Sequence, residues 1–264
     1  MNVYVMVDIE GISGIYAREQ VLPSEPKFAE GRRFMTEDIN ACIKGLKEAG
    51  VDKIYVRDCH AFGNTVIWEG ISEDADYIIN GICGEERFVG VEDCDAVILL
   101  GYHAMAGTKG GILEHTFNSR CVQNAWMNGE KVGEIAIDAG ILGDLGKPVI
   151  MVSGDDKTCA EAKAVLPNVV TAEVKKGLSP FGGMLMPCDK AHKLITEKAK
   201  EAVLKFKDMK PYIVSKPVEI KFEVTERTVL PRMVAHEGLC HIDGRTVKVT
   251  ADTVEQALMR AMVF

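Results

Sequence analysis

The chain has no excess of positive charge: 31 Lys and Arg stand against 39 Asp and Glu, a formal net charge of -8. A nucleic-acid-binding surface is normally basic, so no nucleic-acid partner is expected. No apolar run approaches the roughly 18 residues needed to cross a bilayer, so no membrane partner is expected either. Met1-Asn2-Val3-Tyr4 goes directly into a strand-like run, without a basic leader, an apolar stretch and a small-residue cleavage site. A secretory signal is therefore not expected, and the cytoplasm is the expected compartment. None of the eight cysteines forms a CxxC pair, which leaves a zinc ribbon or redox motif without support. They read as small buried hydrophobes in a reducing compartment. Strand one leads to DxEG instead of GxGxxG, which disfavours a dinucleotide-binding dehydrogenase. Internal repeats and low-complexity tracts are also missing.

What is present is 264 residues, 47% hydrophobic and 27% charged, enough for one large domain or a domain with a smaller companion. Three short apolar runs end in residues that bind metals. Tyr4-Val5-Met6-Val7 runs into Asp8-Ile9-Glu10-Gly11, and Ile54-Tyr55-Val56 into Asp58-Cys59-His60. Asp95 to Leu100 then runs into Gly101-Tyr102-His103. Such runs read as buried strands. In open α/β sheets the ligand crevice lies outside the carboxyl ends of the strands, so these residues are delivered to one edge.

The first 165 residues alternate strand and helix. Met35, Ile39, Cys42, Ile43 and Leu46 share a helical face that ends before Gly50, and Gly133 to Asp138 reads as a helix start. Pro148 to Val152 is a further strand, and Asp155-Asp156 favours the start of the next helix. Strands alternating with helical patterns imply a largely parallel sheet. After a strand at 168–174 the pattern changes. There is a Lys-rich amphipathic helix at 189–207, a one-faced strand at 217–224, a turn at Asp243-Gly244, and a last helix carrying Val254, Ala257, Leu258 and Ala261 on one face. The expected fold is α/β, a mostly parallel central sheet flanked by helices, with a smaller α+β C-terminal subdomain. The expected division is a metal-binding domain at 1–170 and a subdomain at 171–264, with a soft boundary.

Asp8 and Glu10 are two apart, so a strand continuing through them would put both on one face. Carboxylates can bridge two cations, and imidazoles suit zinc, cobalt or manganese better than magnesium or calcium. Taken singly, an Asp at a strand end is often a cap and a lone His often a satisfied polar residue. Recurrence at three strand ends favours a metal site, because capping requires neither His nor Glu.

The motif Val7-Asp8-Ile9-Glu10-Gly11-Ile12-Ser13-Gly14 resembles the opening signature of the zinc-dependent D-aminopeptidase family. The resemblance continues through Arg33 to Asp38, Asp58-Cys59-His60, Gly101-Tyr102-His103-Ala104 and Glu114-His115-Thr116. Further matches follow at Asn128-Gly129, Val132-Gly133-Glu134 and Val152 to Asp156, in order and with compatible spacing. The resemblance implies two zinc ions per subunit. Asp8 would bridge them, with Glu10 and His60 completing one site and His103 and Glu134 the other. A metal-bridged hydroxide would attack short peptides and release N-terminal, D-configured residues such as D-alanine. His115 occupies the position of the family's catalytic histidine, where it is suited to shuttle a proton or stabilise the tetrahedral intermediate. The resemblance further implies a homodecamer of two stacked five-membered rings.

Asp155 or Asp156 is a candidate partner for a substrate ammonium, with helix capping the competing role. Asn118 and Arg120 are candidates for a substrate carbonyl or carboxylate. His192, His236 and His241 are read as structural or surface residues. Ala261 to Phe264 is read as interface or core. Two other readings compete: a two-metal nuclease or phosphoesterase, suggested by the DxE after strand one, and a metal-binding assembly protein without turnover.

Overall fold

The computed structural model describes residues 1–83, 86–226 and 237–261. Seven strands form the main sheet: β1 (Asn2–Val7), β2 (Lys53–Asp58), β3 (Tyr77–Ile79), β4 (Ala96–Leu100), β7 (Val149–Asp155), β8 (Val170–Ser179) and β9 (Gly182–Leu185). Their spatial order is β3-β2-β1-β4-β7-β8-β9, all parallel except the terminal β9. A second sheet holds β5 (Val122–Met127), β6 (Glu130–Lys131), β10 (Val218–Val224), β11 (Leu239–His241) and β12 (Thr246–Ala251). Its order is β11-β12-β10-β5-β6 and every pairing is antiparallel.

The side chains of β1 explain why both faces of the main sheet are covered. Val3, Val5 and Val7 enter one core and Tyr4 and Met6 the other, all buried. A strand buried on both faces reads as a continuous apolar run, as in parallel sheets generally. On the first face lie helix α1 (Phe28–Glu48), with Met35, Ile39, Ile43 and Leu46 turned inward, and helix α4 (Cys188–Leu204), with Ala191, Ile195 and Ala199. Each such Met, Ile or Leu contributes about 1.5–3 kcal/mol of burial. On the second face, helix α2 (Glu134–Asp144) and helix α5 (Val254–Ala261) are packed with the second sheet. Helix α2 is apolar almost all round, as a helix between layers must be. Helix α3 (Asp156–Val165) follows β7.

The elements expected from periodicity are present. Four strands were not expected. β3 and β6 are too short to show a pattern, β9 opens on Gly182-Gly183, and polar residues interrupt β5. The sheets also do not follow the division expected at residue 170. β5 pairs with β10 across roughly 90 to 100 residues and carries β6 on its other edge, whereas β8, β9 and α4 belong to the main sheet and its flank. His236 and Met262-Val263-Phe264 lie outside the described residues, and Ala261 is part of the core.

The strand order reverses at β1, with β2 on one side and β4 on the other. That is the topological switch point at which an open α/β sheet forms its crevice. In register, Val7 lies opposite Asp58 and Leu100, so three chain segments leave the sheet at one level.

Candidate metal centre

β1 ends at Val7, so Asp8 and Glu10 do not share a strand face as expected. They converge because the chain turns immediately after the strand. Asp8 N–H donates to the Leu100 carbonyl at 2.9 Å and Gly11 N–H to the Gly101 carbonyl at 2.7 Å. A Cβ on Gly11 would sit 1.8 Å from the Tyr102 carbonyl oxygen, so only glycine lets the two loops approach this closely. Gly101, at φ +71°, meets the Asp8 carbonyl from the other side. The glycine of DxEG is thus a packing requirement between the β1 and β4 loops.

The β2 loop is organised by buried Asp58. Its carboxylate accepts N–H bonds from Thr65 at 2.5 Å, Val66 at 3.0 Å and His60 at 3.1 Å. Burial pushes this carboxyl up, and those backbone donors oppose the shift. The loop aims His60 Nδ1 at Asp8 Oδ1, 3.2 Å away, and at Glu10 Oε2, 3.3 Å away. On the other side of Asp8, His103 Nε2 lies 3.4 Å from Asp8 Oδ2 and 3.2 Å from Glu134 Oε1. Asp8 therefore stands between two acid–imidazole pairs, Glu10 with His60 and His103 with Glu134. Glu134 arrives from the first turn of α2 and also accepts the Phe117 N–H at 2.7 Å.

Carbonyl groups fix the tautomers of all three histidines. His60 Nε2 is 2.8 Å from the Val21 carbonyl, His103 Nδ1 3.1 Å from that of Ala104, and His115 Nδ1 2.9 Å from that of Leu113. A carbonyl can only accept, so each of these nitrogens carries the proton. In the neutral rings of His60 and His103 the lone pair then falls on the nitrogen facing the carboxylates, which is the orienting pattern of metal-ligating histidines. The ring of His115 stacks on that of His103, with centroids 3.8 Å apart.

The electrostatics are those of a cation site. Burial would raise the Asp8 carboxyl, but the two imidazoles outweigh it and hold it well below the usual range. Burial would lower His60 and His103, but Glu10 and Glu134 respectively, together with Asp8, push both well up. Glu134, likewise raised by burial, is brought down to about 2 by His103, His115 and Arg87. Among the described residues, buried Glu10 Oε2 and His103 Nε2 have no partner in hydrogen-bond geometry. Buried polar atoms without partners are uncommon, and a carboxylate oxygen and an imidazole nitrogen together fit a transition metal. Clusters of ligand atoms lying within 4.8 Å of one another include Asp8, Glu10 and His103, and also His103, His115 and Glu134.

A family model described as D-aminopeptidase matches residues 1–263. The chain belongs to the D-aminopeptidase family. A D-aminopeptidase of Bacillus subtilis (strain 168) is 34% identical over 212 residues, covering 80% of this chain and 77% of that protein. A solved structure described as the Zn-dependent D-aminopeptidase DppA from Bacillus subtilis, a self-compartmentalizing protease, superposes with a TM-score of 0.89. It is 30% identical and covers 99% of this chain and 95% of its own. Family membership favours the peptidase reading over the nuclease one.

Three charged residues of this D-aminopeptidase family member had no role assigned from sequence. Buried Asp138, one helical turn beyond Glu134, accepts from Tyr102 Oη at 2.7 Å, Arg87 Nη2 at 2.9 Å and Arg87 Nε. Arg87 Nη2 also reaches Glu134 Oε2 at 3.4 Å, and its guanidinium lies over the Phe117 ring. Burial pushes Asp138 up, whereas Arg87 is held well above its ordinary range by Asp138 despite its own burial. The geometry decides for a carboxylate, since three donors converge on it and leave no role for a proton. The third residue, Lys175 on β8, donates to the carbonyls of Glu10 at 2.6 Å, Ile12 at 2.9 Å and Ile15 at 2.7 Å. Burial lowers its ammonium to about 7 against Asp155, Asp38 and Glu10. The i, i+4 spacing of Glu134 and Asp138 in an apolar helix was the one sequence signal for this shell.

The remaining candidates divide. Asp155 caps α3, accepting from Lys157 and Thr158 N–H, and also takes the Ile112 N–H at 2.8 Å. Asp156 accepts from Lys157 Nζ at 2.5 Å and Gly177 N–H at 2.8 Å. Both are committed within the chain. Asn118 forms a turn with the N–H groups of Arg120 and Cys121. Arg120 lines a cavity of about 330 Å³ with Arg18, Glu10, His115 and Phe181, which opens beside the metal-type cluster. His241 is exposed, whereas His192 contacts buried Asp38 at 3.3 Å.

Proposed function

We propose that the chain is a zinc-dependent aminopeptidase that removes N-terminal D-amino acids from short peptides at a two-ion site. The observation that carries this reading is the position of Asp8, whose two carboxylate oxygens face different histidines. Asp8 would bridge the ions, Glu10 and His60 would hold one, and His103 and Glu134 the other. Zinc, when bound, supplies a Lewis acid for the scissile carbonyl and a nucleophile available near neutral pH. DppA, to which this chain is similar, is described as Zn-dependent, which supports zinc as the ion.

The chain's own residues do the rest. A peptide in the cavity beside Glu10 would lie between His115 and the two arginines, Arg18 and Arg120. Those guanidiniums would take the carbonyl or terminal carboxylate of a short peptide. His115 keeps Nδ1–H on the Leu113 carbonyl, so its Nε2 is the atom left to take up and return a proton. Stacking on His103 fixes the ring plane. Glu10 would also serve to attract the substrate ammonium. With Asp155 and Asp156 committed to helix and strand N–H groups, neither is assigned to that ammonium.

DppA is described as a self-compartmentalizing protease, which supports an assembled homo-oligomer here, proposed as a decamer of two rings. A cytoplasmic location is proposed on the eight cysteines, all of them unpaired. Among the described residues no helix is long and apolar enough to cross a membrane.

The test is the His115→Ala variant assayed on D-alanyl and L-alanyl p-nitroanilides with metal content measured in parallel. Loss of general acid–base help costs about 10²–10⁴ in turnover. Retained metal with that loss is the expected outcome. Full activity in the variant would refute the role of His115. Absence of activity in the metal-loaded wild type on any D-aminoacyl substrate would favour a metal-binding assembly protein.

A further inference from the structure

Away from the crevice, on the outer side of α1 and α4, a second group of ligand-type side chains comes together. Cys188 opens α4 and His192 lies one turn later, so both project from one helix face. The Cys188 Sγ is 3.7 Å from each ring nitrogen of His192. Glu37 on α1 completes the group, and one ligand atom from each of the three lies within 4.8 Å of the others. The set is chemically distinct from the crevice, whose proposed ligands include no thiolate.

His192 is also oriented from behind. Its Nε2 lies 3.3 Å from Oδ1 of Asp38, a carboxylate that is 0% exposed. Asp38 is itself held by the Ser13 N–H at 2.8 Å and Ser13 Oγ at 2.6 Å. With Nε2 turned to Asp38, Nδ1 is the nitrogen left to ligate, 3.7 Å from Cys188 Sγ. A buried carboxylate behind a surface imidazole is the arrangement that fixes tautomer and ring plane in metal-bound histidines. Helix capping does not require it, and neither does a solvated helix face.

We propose that Glu37, Cys188 and His192 form a second metal site, specific for zinc-class divalent ions, on the α1–α4 surface. A thiolate, an imidazole and a carboxylate select zinc or cobalt over magnesium and calcium. Three protein ligands leave a fourth position, which opens onto a cavity of about 920 Å³ also lined by Asn40, Lys44 and Thr196. The competing partner is Arg33, whose Nη1 lies 3.3 Å from Glu37 Oε1, but that pair is exposed and occupies a single oxygen. Metal binding would displace the Cys188 proton to solvent as the Sγ–metal bond forms. Through Asp38 and Ser13 the site is tied to the loop that carries Glu10.

The test uses the purified full chain with cobalt(II) exchanged for its metals. A thiolate-to-cobalt charge-transfer band in the near ultraviolet reports cysteine ligation, which the crevice ligands cannot produce. The band is expected in the wild type and absent in Cys188→Ser. Zinc content is expected to fall by one ion per chain in that variant. Glu37→Gln leaves the thiol in place and is expected to weaken cobalt binding at the band at least ten-fold, so the proposal does not hang on one substitution. No band in the wild type, a band that survives Cys188→Ser, or an unchanged zinc content would each overturn the site. So would cobalt affinity at the band that Glu37→Gln leaves unaltered.

Discussion

Replacing Asp138 with Asn keeps the shape of the side chain and removes its charge, which isolates what the buried network behind Glu134 contributes. Asp138 accepts three hydrogen bonds, two from Arg87 and one from Tyr102, and is 0% exposed. An amide has one acceptor oxygen, and its NH2 would face a guanidinium or phenol donor. Arg87 is then a buried cation without its partner. Breaking a buried pair from one side costs about 3–5 kcal/mol, a large part of the ~5–15 kcal/mol by which domains are stable. A second effect reaches the metal cluster. Arg87 Nη2 already lies 3.4 Å from Glu134 Oε2, and without Asp138 it would turn to that carboxylate. Loss of an orienting partner typically weakens metal binding 10–100-fold, about 1.4–2.7 kcal/mol. The assay is urea unfolding of chelator-treated protein at fixed protein concentration, together with zinc titration against a competing chelator. Removing both charges, with Arg87→Met and Asp138→Leu, is expected to cost less than Asp138→Asn alone. A single variant within 1 kcal/mol of the wild type and with unaltered zinc affinity would refute the network's role.

Two further substitutions probe the frame of the site. Gly11→Ala would drive a Cβ to 1.8 Å from the Tyr102 carbonyl, forcing the β1 and β4 loops apart. A loss of at least about 1–3 kcal/mol and of metal binding is expected, measured by thermal unfolding and metal content. Asp156→Asn tests a pH-dependent tie between α3 and β8. Burial raises this carboxyl, but Lys157 and the Gly177 N–H outweigh it and hold it below the usual carboxylate range. A depressed folded pKa means the contribution is fully present above the unfolded value near 3.9 and is lost as pH falls through the folded one. The variant is therefore expected to be about 1 kcal/mol less stable at pH 7, with the gap closing only below about pH 4. A gap that persists at lower pH would contradict this.

Much of the site was legible because parallel strands place their carboxyl ends on one edge. Asp8, His60 and His103 each follow an apolar run within four residues, so their convergence could be read from local patterns. Glu134 and His115 were reached only through family resemblance. One follows a glycine at a helix start, and the other sits in a loop held by Leu113 and Phe117 at positive φ. The supporting residues were not legible, since their partners are distant in sequence. Lys175 holds carbonyls 160 to 165 residues away, and Arg87 meets Asp138 across 51. The second sheet escaped for the same reason: β5 has a mixed pattern that acquires meaning only when β10 lies beside it. Periodicity reports which face is buried and is silent on the partner.

Asp8 is proposed to bridge two ions. Diffraction from crystals of the zinc-loaded protein, recorded on both sides of the zinc absorption edge, tests it directly. Two anomalous peaks are expected to flank the Asp8 carboxylate, one contacted by Glu10 and His60 and the other by His103 and Glu134. A single peak there, or ions bound by other residues, would contradict it.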